Sequence, residues 1–358
     1  MRMLPATLVV ALLASGCVGP TPRETATTTP AQASAQRVAS PGSYFDNTGR
    51  DDVLSGGVKR IPITTPKGSF HVWTKRTGNN PRIKVLLLHG GPGATHEYME
   101  AFDSYFPGAG IEYYQYDQLG SAFSDQPKDP SLWDIPRFVD EVEQVRAALK
   151  LTGENFYLLG HSWGGVLAVE YALKYPQHLK GLIISNMMAS GPAYDAYARK
   201  VLIPQMDPAV VNEVRRLEAE GRFEDPRYME LLVPSYYREH ILRMPLDQWP
   251  DGVNRAFARL NREVYVPMQG PSEMGISGTL ATWDRFADLT SIAVPTLVVG
   301  AKYDTMDPAH MERMAKQLPK GRYLYCPTGS HMAMYDDQQT YMSGVIAFLH
   351  DVDAGKLP

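Results

Sequence analysis

The short apolar run Phe156–Leu159 ends in Gly160-His161-Ser162-Trp163-Gly164-Gly165, and a helix-compatible stretch, Val166–Tyr175, follows at once. A strand that turns directly into a helix through a G-x-S-x-G bend constrains the chain around it severely. The strand has to lie inside a sheet, the helix has to pack back across that sheet, and small residues beside the serine must let the two backbones approach. The serine side chain is then lifted above the end of the strand. Ser162 is therefore the candidate nucleophile.

The flanking sequence supplies the sheet. Val58–Thr64 and Ser69–Thr74 surround Lys67-Gly68 and predict an antiparallel hairpin. Ile83–Leu88 is a continuous β-favouring apolar run, expected of a central strand covered on both faces, and it empties into His89-Gly90-Gly91-Pro92-Gly93. Further strands are predicted at Ile111–Tyr116, Leu179–Ser185, Val294–Gly300 and Arg322–Cys326. Helices are predicted over Pro136–Leu151, where Phe138, Val142, Val145 and Leu149 share a face, and over Ala309–Leu318 and Tyr341–Leu349. Strands alternating with helices predict an α/β fold with a mainly parallel sheet, whose functional loops gather at the strand C-terminal ends. Residues 189–278 break that rhythm with helical stretches at Val211–Glu220 and Asp251–Leu260 and an aromatic run at Tyr236–Trp249. They predict a helical cap inserted between two parts of the core, 51–188 and 279–358.

The N-terminus differs in kind. Arg2 precedes an almost wholly apolar run from Leu4 to Ala14, and Leu13-Ala14-Ser15-Gly16 leads into Cys17. This resembles a bacterial lipoprotein signal peptide over 1–16, with Cys17 lipidated and first in the mature chain; an ordinary secretory signal is the alternative. The apolar run is shorter than the roughly 20 residues a membrane span needs. Residues 17–50 are rich in Thr, Pro, Ala and Ser at the start and read as a tether. Both readings place the folded domain outside the cytoplasm, with membrane contact through the anchor if Cys17 is lipidated. Cys326 is then left without a partner, and its setting in Arg322–Cys326 reads as a buried strand position. A net charge of -4 gives no case for nucleic-acid binding.

A serine hydroxyl needs a general base held by an orienting acid, and in this architecture the acid precedes the histidine at later strand ends. Asp304 follows the run Val294–Gly300, and His331 follows Arg322–Cys326, in the required order. Asp307 competes for the acid role, or caps a helix starting near Pro308; His310 falls on that helix. The glycine-rich loop after Ile83–Leu88 offers the Gly91 amide, and the elbow offers that of Trp163, as donors to a tetrahedral oxyanion. The histidines show no metal-ligand spacing, and this chemistry calls for neither metal nor organic cofactor.

Taken in order, HGGPG, DQLGSAFSD, GHSWGG, QGPSEMG, AKYDTMDP and GSHMAMYDD resemble the proline iminopeptidase family of α/β-hydrolases across roughly residues 55–350. The resemblance implies an α/β-hydrolase sheet with an inserted helical cap, and the nucleophile, acid and base at Ser162, Asp304 and His331. It implies release of N-terminal residues, commonly proline, from short peptides, with amino-acid amides as substrates of close relatives. It also implies that Glu273 holds the substrate's free amine. Some peptide-cleaving members carry a second glutamate directly after the triad aspartate; here that position is Thr305. Either another cap acid such as Glu239 substitutes, or amine selection is looser. Tyr194, Tyr197, Tyr236, Tyr237 and Trp249 are candidates to line an apolar pocket in the cap. An amidase or esterase with the same triad is the enzymatic alternative, and a cell-envelope binding protein that has lost catalysis is the non-enzymatic one.

Overall fold

Pairing begins at the hairpin. β1 (Val58–Thr65) runs antiparallel to β2 (Gly68–Thr77), with Thr65 opposite Gly68 across the turn. Ile61 and Ile63 are buried while Arg60, Pro62 and Thr64 are exposed, the period-two pattern of a strand with one face on the core. The chain continues through β3 (Lys84–Leu88), β4 (Glu112–Asp117), α1 (Ile135–Ala148), β5 (Phe156–His161), α2 (Trp163–Lys174) and β6 (Gly181–Ser185). Six helices follow: α3 (Gly191–Tyr197), α4 (Pro208–Ala219), α5 (Pro226–Leu232), α6 (Arg238–His240), α7 (Asp251–Ala258) and α8 (Arg262–Met268). β7 (Thr296–Ala301), α9 (Pro308–Gln317), β8 (Gly321–Cys326), α10 (Ala333–Asp336) and α11 (Gln338–Asp353) complete the chain. This computed structural model describes residues 44–46, 50–52 and 55–356. Residues 1–43, with Cys17 and the signal-peptide reading, lie outside the described residues.

The eight strands form one sheet in the order β1-β2-β4-β3-β5-β6-β7-β8, antiparallel at β1, β2 and β4 and parallel from there on. From β3 the chain steps to β4 on one side, then returns past β3 to β5 on the other. Loops leaving β3 and β5 therefore diverge from adjacent strand ends, which is where open α/β sheets make their crevice. Leu88 pairs with Gly160, His161 with Ser185, Ser185 with Val299 and Ala301 with Cys326. That register brings the loops after β3, β5, β6, β7 and β8 out along one edge.

Alternate side chains of the buried strands feed two apolar layers. Leu86, Leu88, Leu158 and Ile184 pack with Val166 and Leu167 of α2, whereas Val85, Leu87, Leu159 and Ile183 pack with Phe102, Tyr341 and Phe348. The helical insertion between β6 and β7 is the cap. Three of its helices start where aspartate or asparagine accepts a first-turn amide: Asp207 from Ala209, Asp225 from Arg227 and Asn261 from Glu263. Prolines at the first helical positions of α4 and α5 sharpen two of those starts. Arg255 Nε and Arg259 Nη1 both reach Oε1 of the buried Glu97, at 2.9 and 2.8 Å, tying α7 to the segment His96–Ser104.

Several helices differ from expectation. α2 starts at Trp163, ahead of the predicted Val166, because the Gly165 amide already donates to the Ser162 carbonyl at 2.6 Å. α3, α5 and α8 are seven residues each, too short for a periodic signal, and α8 carries Pro267 inside it.

Candidate active site

Ser162 sits at the tip of the β5–α2 bend with φ 56° and ψ -127°, a conformation few non-glycine residues adopt. Its own amide donates to the Ser185 carbonyl at 3.0 Å, which anchors the bend to β6. The tightness is visible at Gly164, where an added Cβ would stand 2.2 Å from the Leu88 carbonyl oxygen. The glycine is required because α2 crosses directly over the end of β3.

Asp304 and His331 come from the loops after β7 and β8. Asp304 is fully buried; its Oδ1 lies 2.8 Å from His331 Nδ1 and accepts the Met306 amide at 3.1 Å. The imidazole therefore carries its proton on Nδ1 and leaves Nε2 as a base. Burial lowers the His331 pKa, but the Asp304 charge and hydrogen bond outweigh it and hold the value above 6.5. Asp307 caps α9, accepting from Ala309 N at 2.9 Å, and is thereby committed away from the imidazole. His310 lies on α9 as expected, buried.

Ser162, His331, Gly91 and Glu273 all border one cavity between the sheet edge and the cap. No hydrogen bond joins the Ser162 hydroxyl to the His331 ring among the described residues. In unliganded hydrolases this contact is commonly long and tightens when substrate binds. Gly91 has φ 107°, and a Cβ there would lie 2.7 Å from the Ala94 nitrogen. The preceding amide, of Gly90, is already spent on the Tyr98 hydroxyl at 2.7 Å. Trp163 opens α2, so its amide has no acceptor within the helix and stands at the positive end of the helix dipole. Its indole turns into the core and donates to Gln118 Oε1 at 2.8 Å.

Glu273 reaches the cavity from the loop after α8. Tyr265 donates to Oε1 at 2.6 Å, while the single Tyr194 proton is shared between the Glu273 carbonyl oxygen at 2.9 Å and Oε2 at 3.2 Å. The Tyr237 hydroxyl accepts the Glu273 amide at 3.2 Å. Tyr237, Phe257, Met229 and Leu260 add apolar lining. Of the other cap aromatics, Tyr236 is buried, and Trp249 lines an adjoining groove rather than this cavity. Glu239 is half-buried and paired with Arg243 at 3.0 Å, away from the cavity lining. Thr305 is buried against the acid–base pair, its hydroxyl 3.3 Å from both Asp304 Oδ1 and His331 Nδ1.

A sequence-family model described as alpha/beta hydrolase fold matches residues 84–338. The proline iminopeptidase of Flavobacterium johnsoniae is 62% identical over 297 residues, covering 83% of this chain and 99% of that protein. The chain belongs to the proline iminopeptidase family of α/β-hydrolases. Another family member, the proline iminopeptidase of Elizabethkingia meningoseptica, is 61% identical over 295 residues, covering 82% of this chain and 98% of its own length. Among solved structures, VinJ superposes with a TM-score of 0.76 at 28% identity, covering 82% of this chain and 98% of that one. The proline iminopeptidase of Mycobacterium smegmatis gives 0.72 at 28% identity, with 82% and 99% covered.

Three residues of this family member's site carried no motif. Asn186 follows β6 with φ 53° and donates its side-chain amide to Asp304 Oδ2 at 2.7 Å. Tyr98 reaches the site from the 3₁₀-helical segment His96–Ser104 and Tyr265 from α8. A polar residue ending the apolar run Leu179–Ser185 was the available signal for Asn186. The tyrosines had none: Tyr98 lies close behind HGGPG and Tyr265 close before QGPSEMG, but neither belongs to the motif beside it.

Proposed function

We propose that this protein is a serine aminopeptidase that releases N-terminal residues, preferably proline, from short peptides through an acyl-enzyme. The observation that carries the reading is the Glu273 carboxylate, held by the Tyr265 hydroxyl in the cavity that Ser162 and His331 border. A cationic amine at Glu273 sets the first residue's carbonyl at the nucleophile and leaves the rest of the peptide as the leaving group.

Ser162 Oγ attacks that carbonyl while His331 Nε2 accepts its proton and Asp304 holds the imidazole. The Gly91 and Trp163 amides donate to the oxyanion, a role in which one donor is worth about 3–4 kcal/mol. His331 then gives its proton to the departing amine, and a water deprotonated by the same nitrogen hydrolyses the acyl-enzyme. Thr305 brings no charge beside Asp304 and does not line the cavity, which leaves Glu273 as the acid among the lining residues to hold the amine.

The test is a substrate panel varying the N-terminal residue, the leaving-group length and the acylation of the amine. Higher catalytic efficiency on free-amine peptides than on their N-acyl counterparts is expected; equal efficiency would make the protein a general amidase or esterase. Ser162→Ala should fold and form no adduct with a serine-directed phosphonate.

We also propose export and lipidation at Cys17, from the apolar run and small residues that precede it. Wild-type protein should partition into the detergent phase from cells, and Cys17→Ser into the aqueous phase. Identical partitioning would remove the anchor.

A further inference from the structure

His161 occupies the variable position of the serine bend, one residue before Ser162, and it is fully enclosed. Its two ring nitrogens make two hydrogen bonds to different parts of the chain. Nδ1 lies 2.8 Å from the Tyr98 hydroxyl, and Nε2 lies 2.8 Å from the carbonyl oxygen of His331. The Tyr98 oxygen also accepts the Gly90 amide at 2.7 Å.

These three contacts admit one arrangement of protons. The Gly90 amide can only donate, so the Tyr98 oxygen accepts from it. The single Tyr98 proton then goes to His161 Nδ1, which must be bare. The His161 proton is on Nε2 and is given to the His331 carbonyl, which can only accept. A second proton on His161 would face Tyr98 with no acceptor left for the tyrosine's own hydrogen. Burial, followed by the nearby His331, pulls the His161 pKa down to about 3, in keeping with the neutral ring.

We propose that His161 is a positioning residue, the middle of a one-directional hydrogen-bond chain Gly90–Tyr98–His161–His331 that sets the oxyanion loop, the nucleophile bend and the base loop in register. Gly90 adjoins the oxyanion donor Gly91, His161 adjoins the nucleophile, and the last acceptor is the backbone of the base itself. His331 is thus fixed twice, through its ring by Asp304 and through its main chain by His161. Its amide adds a third tie, to the His240 carbonyl at 2.9 Å. The inference rests on Ser162 and His331 being nucleophile and base.

The test uses Tyr98→Phe, His161→Gln and His161→Leu in the otherwise intact protein. Tyr98→Phe removes one oxygen and cuts the chain in the middle; His161→Gln keeps a donor at the level of Nε2 but loses the acceptor for Tyr98. On a free-amine peptide, Tyr98→Phe should lower kcat by about ten- to a hundredfold with KM changed by less than about twofold, the signature of misplacement rather than lost binding. His161→Gln should retain more kcat than His161→Leu. Adding Tyr98→Phe to His161→Leu should cost little more, since both cut one chain. The rate of phosphonate labelling of Ser162 should fall in parallel, with thermal midpoints reporting the fold separately. If His161→Leu does not fold, Tyr98→Phe and His161→Gln decide. Full kcat in Tyr98→Phe, losses confined to KM, or losses that multiply independently would overturn the proposal. Ser162→Ala separates the two readings: labelling that survives it sinks the triad, whereas labelling lost there but undiminished in Tyr98→Phe sinks the relay alone.

Discussion

Asn186 donates its side-chain amide to Oδ2 of Asp304 at 2.7 Å, on the carboxylate oxygen that does not face His331. The two oxygens of the acid are thus divided, one for the imidazole and one for Asn186, and the carboxylate plane is fixed. Asn186 is held in turn by Ser185, whose hydroxyl donates to Asn186 Oδ1 at 2.8 Å. Asn186→Gly keeps the positive φ of this position and removes the side chain, with its bonds to Asp304, Ser185 and the Ser330 carbonyl. It should lower kcat about tenfold or more, since a lost hydrogen bond to a charged group costs about 1.5–3 kcal/mol. Unchanged kcat, with the thermal midpoint lowered, would reduce Asn186 to a structural role.

The raised pKa of His331 has a kinetic consequence of definite sign. Nucleophilic attack needs the neutral imidazole, so activity is lost as pH falls through the His331 pKa. Burial alone would drop that value, but the Asp304 charge and hydrogen bond carry it above 6.5. The acid limb of kcat/KM should therefore have its midpoint above pH 6.5. Asp304→Asn removes the cause; the limb should move to lower pH while kcat falls by about 10⁴-fold, the scale of losing this carboxylate from a serine triad. A limb that stays in place in Asp304→Asn would assign it to another group.

The sheet was legible wherever apolar runs of strand length met glycine or proline punctuation, as at Lys84–Leu88 and Thr296–Ala301. The triad candidates were legible for the same reason: each lies directly behind such a run, so strand order put Ser162, Asp304 and His331 on one edge. Asp304 and Asp307 are aspartates of one loop; the sequence favoured Asp304 as the acid, and the helix that begins directly after Asp307 takes that residue as its cap. Residues that act through long-range contacts were silent. Tyr98 meets His161 across 63 positions, and Tyr194, expected only as apolar lining, turns its hydroxyl to Glu273 across 79. No local pattern records a hydroxyl aimed at a distant acceptor.

The bend that holds Ser162 depends on the contact between Gly164 and the end of β3. A Cβ at Gly164 would lie 2.2 Å from the Leu88 carbonyl oxygen and 2.8 Å from its carbon, and neither backbone atom can rotate away. Relief requires α2 to lift from the sheet, which would open the packing of Val166 and Leu167 against the core. Gly164→Ala should destabilise the protein by about 3 kcal/mol or more, at the upper end for overpacking. Denaturant unfolding would read this directly. A stable Gly164→Ala protein with wild-type activity would mean that the bend is looser than these distances.

Glu273 offers the sharpest discrimination between a peptide amine site and a general hydrolase pocket. Oε1 accepts from Tyr265, and Oε2 shares the Tyr194 proton with the residue's own carbonyl. A carboxylate has lone pairs left for an ammonium group, whereas a glutamine keeps one acceptor oxygen for Tyr265 and can turn its NH2 towards Tyr194, whose proton has the backbone carbonyl of residue 273 at 2.9 Å. Glu273→Gln therefore removes the charge while leaving each tyrosine hydroxyl a partner. The expected loss in kcat/KM for a free-amine dipeptide is about ten- to a hundredfold, the worth of one charge-assisted hydrogen bond. An N-acyl analogue has no cation to lose, and its already low efficiency should change by less than about threefold. Tyr265→Phe should follow the same pattern more weakly, because the carboxylate keeps its charge and loses one support. Parallel losses on both substrates would mean that Glu273 shapes the cavity without binding the amine, and the aminopeptidase reading would lose the observation that carries it.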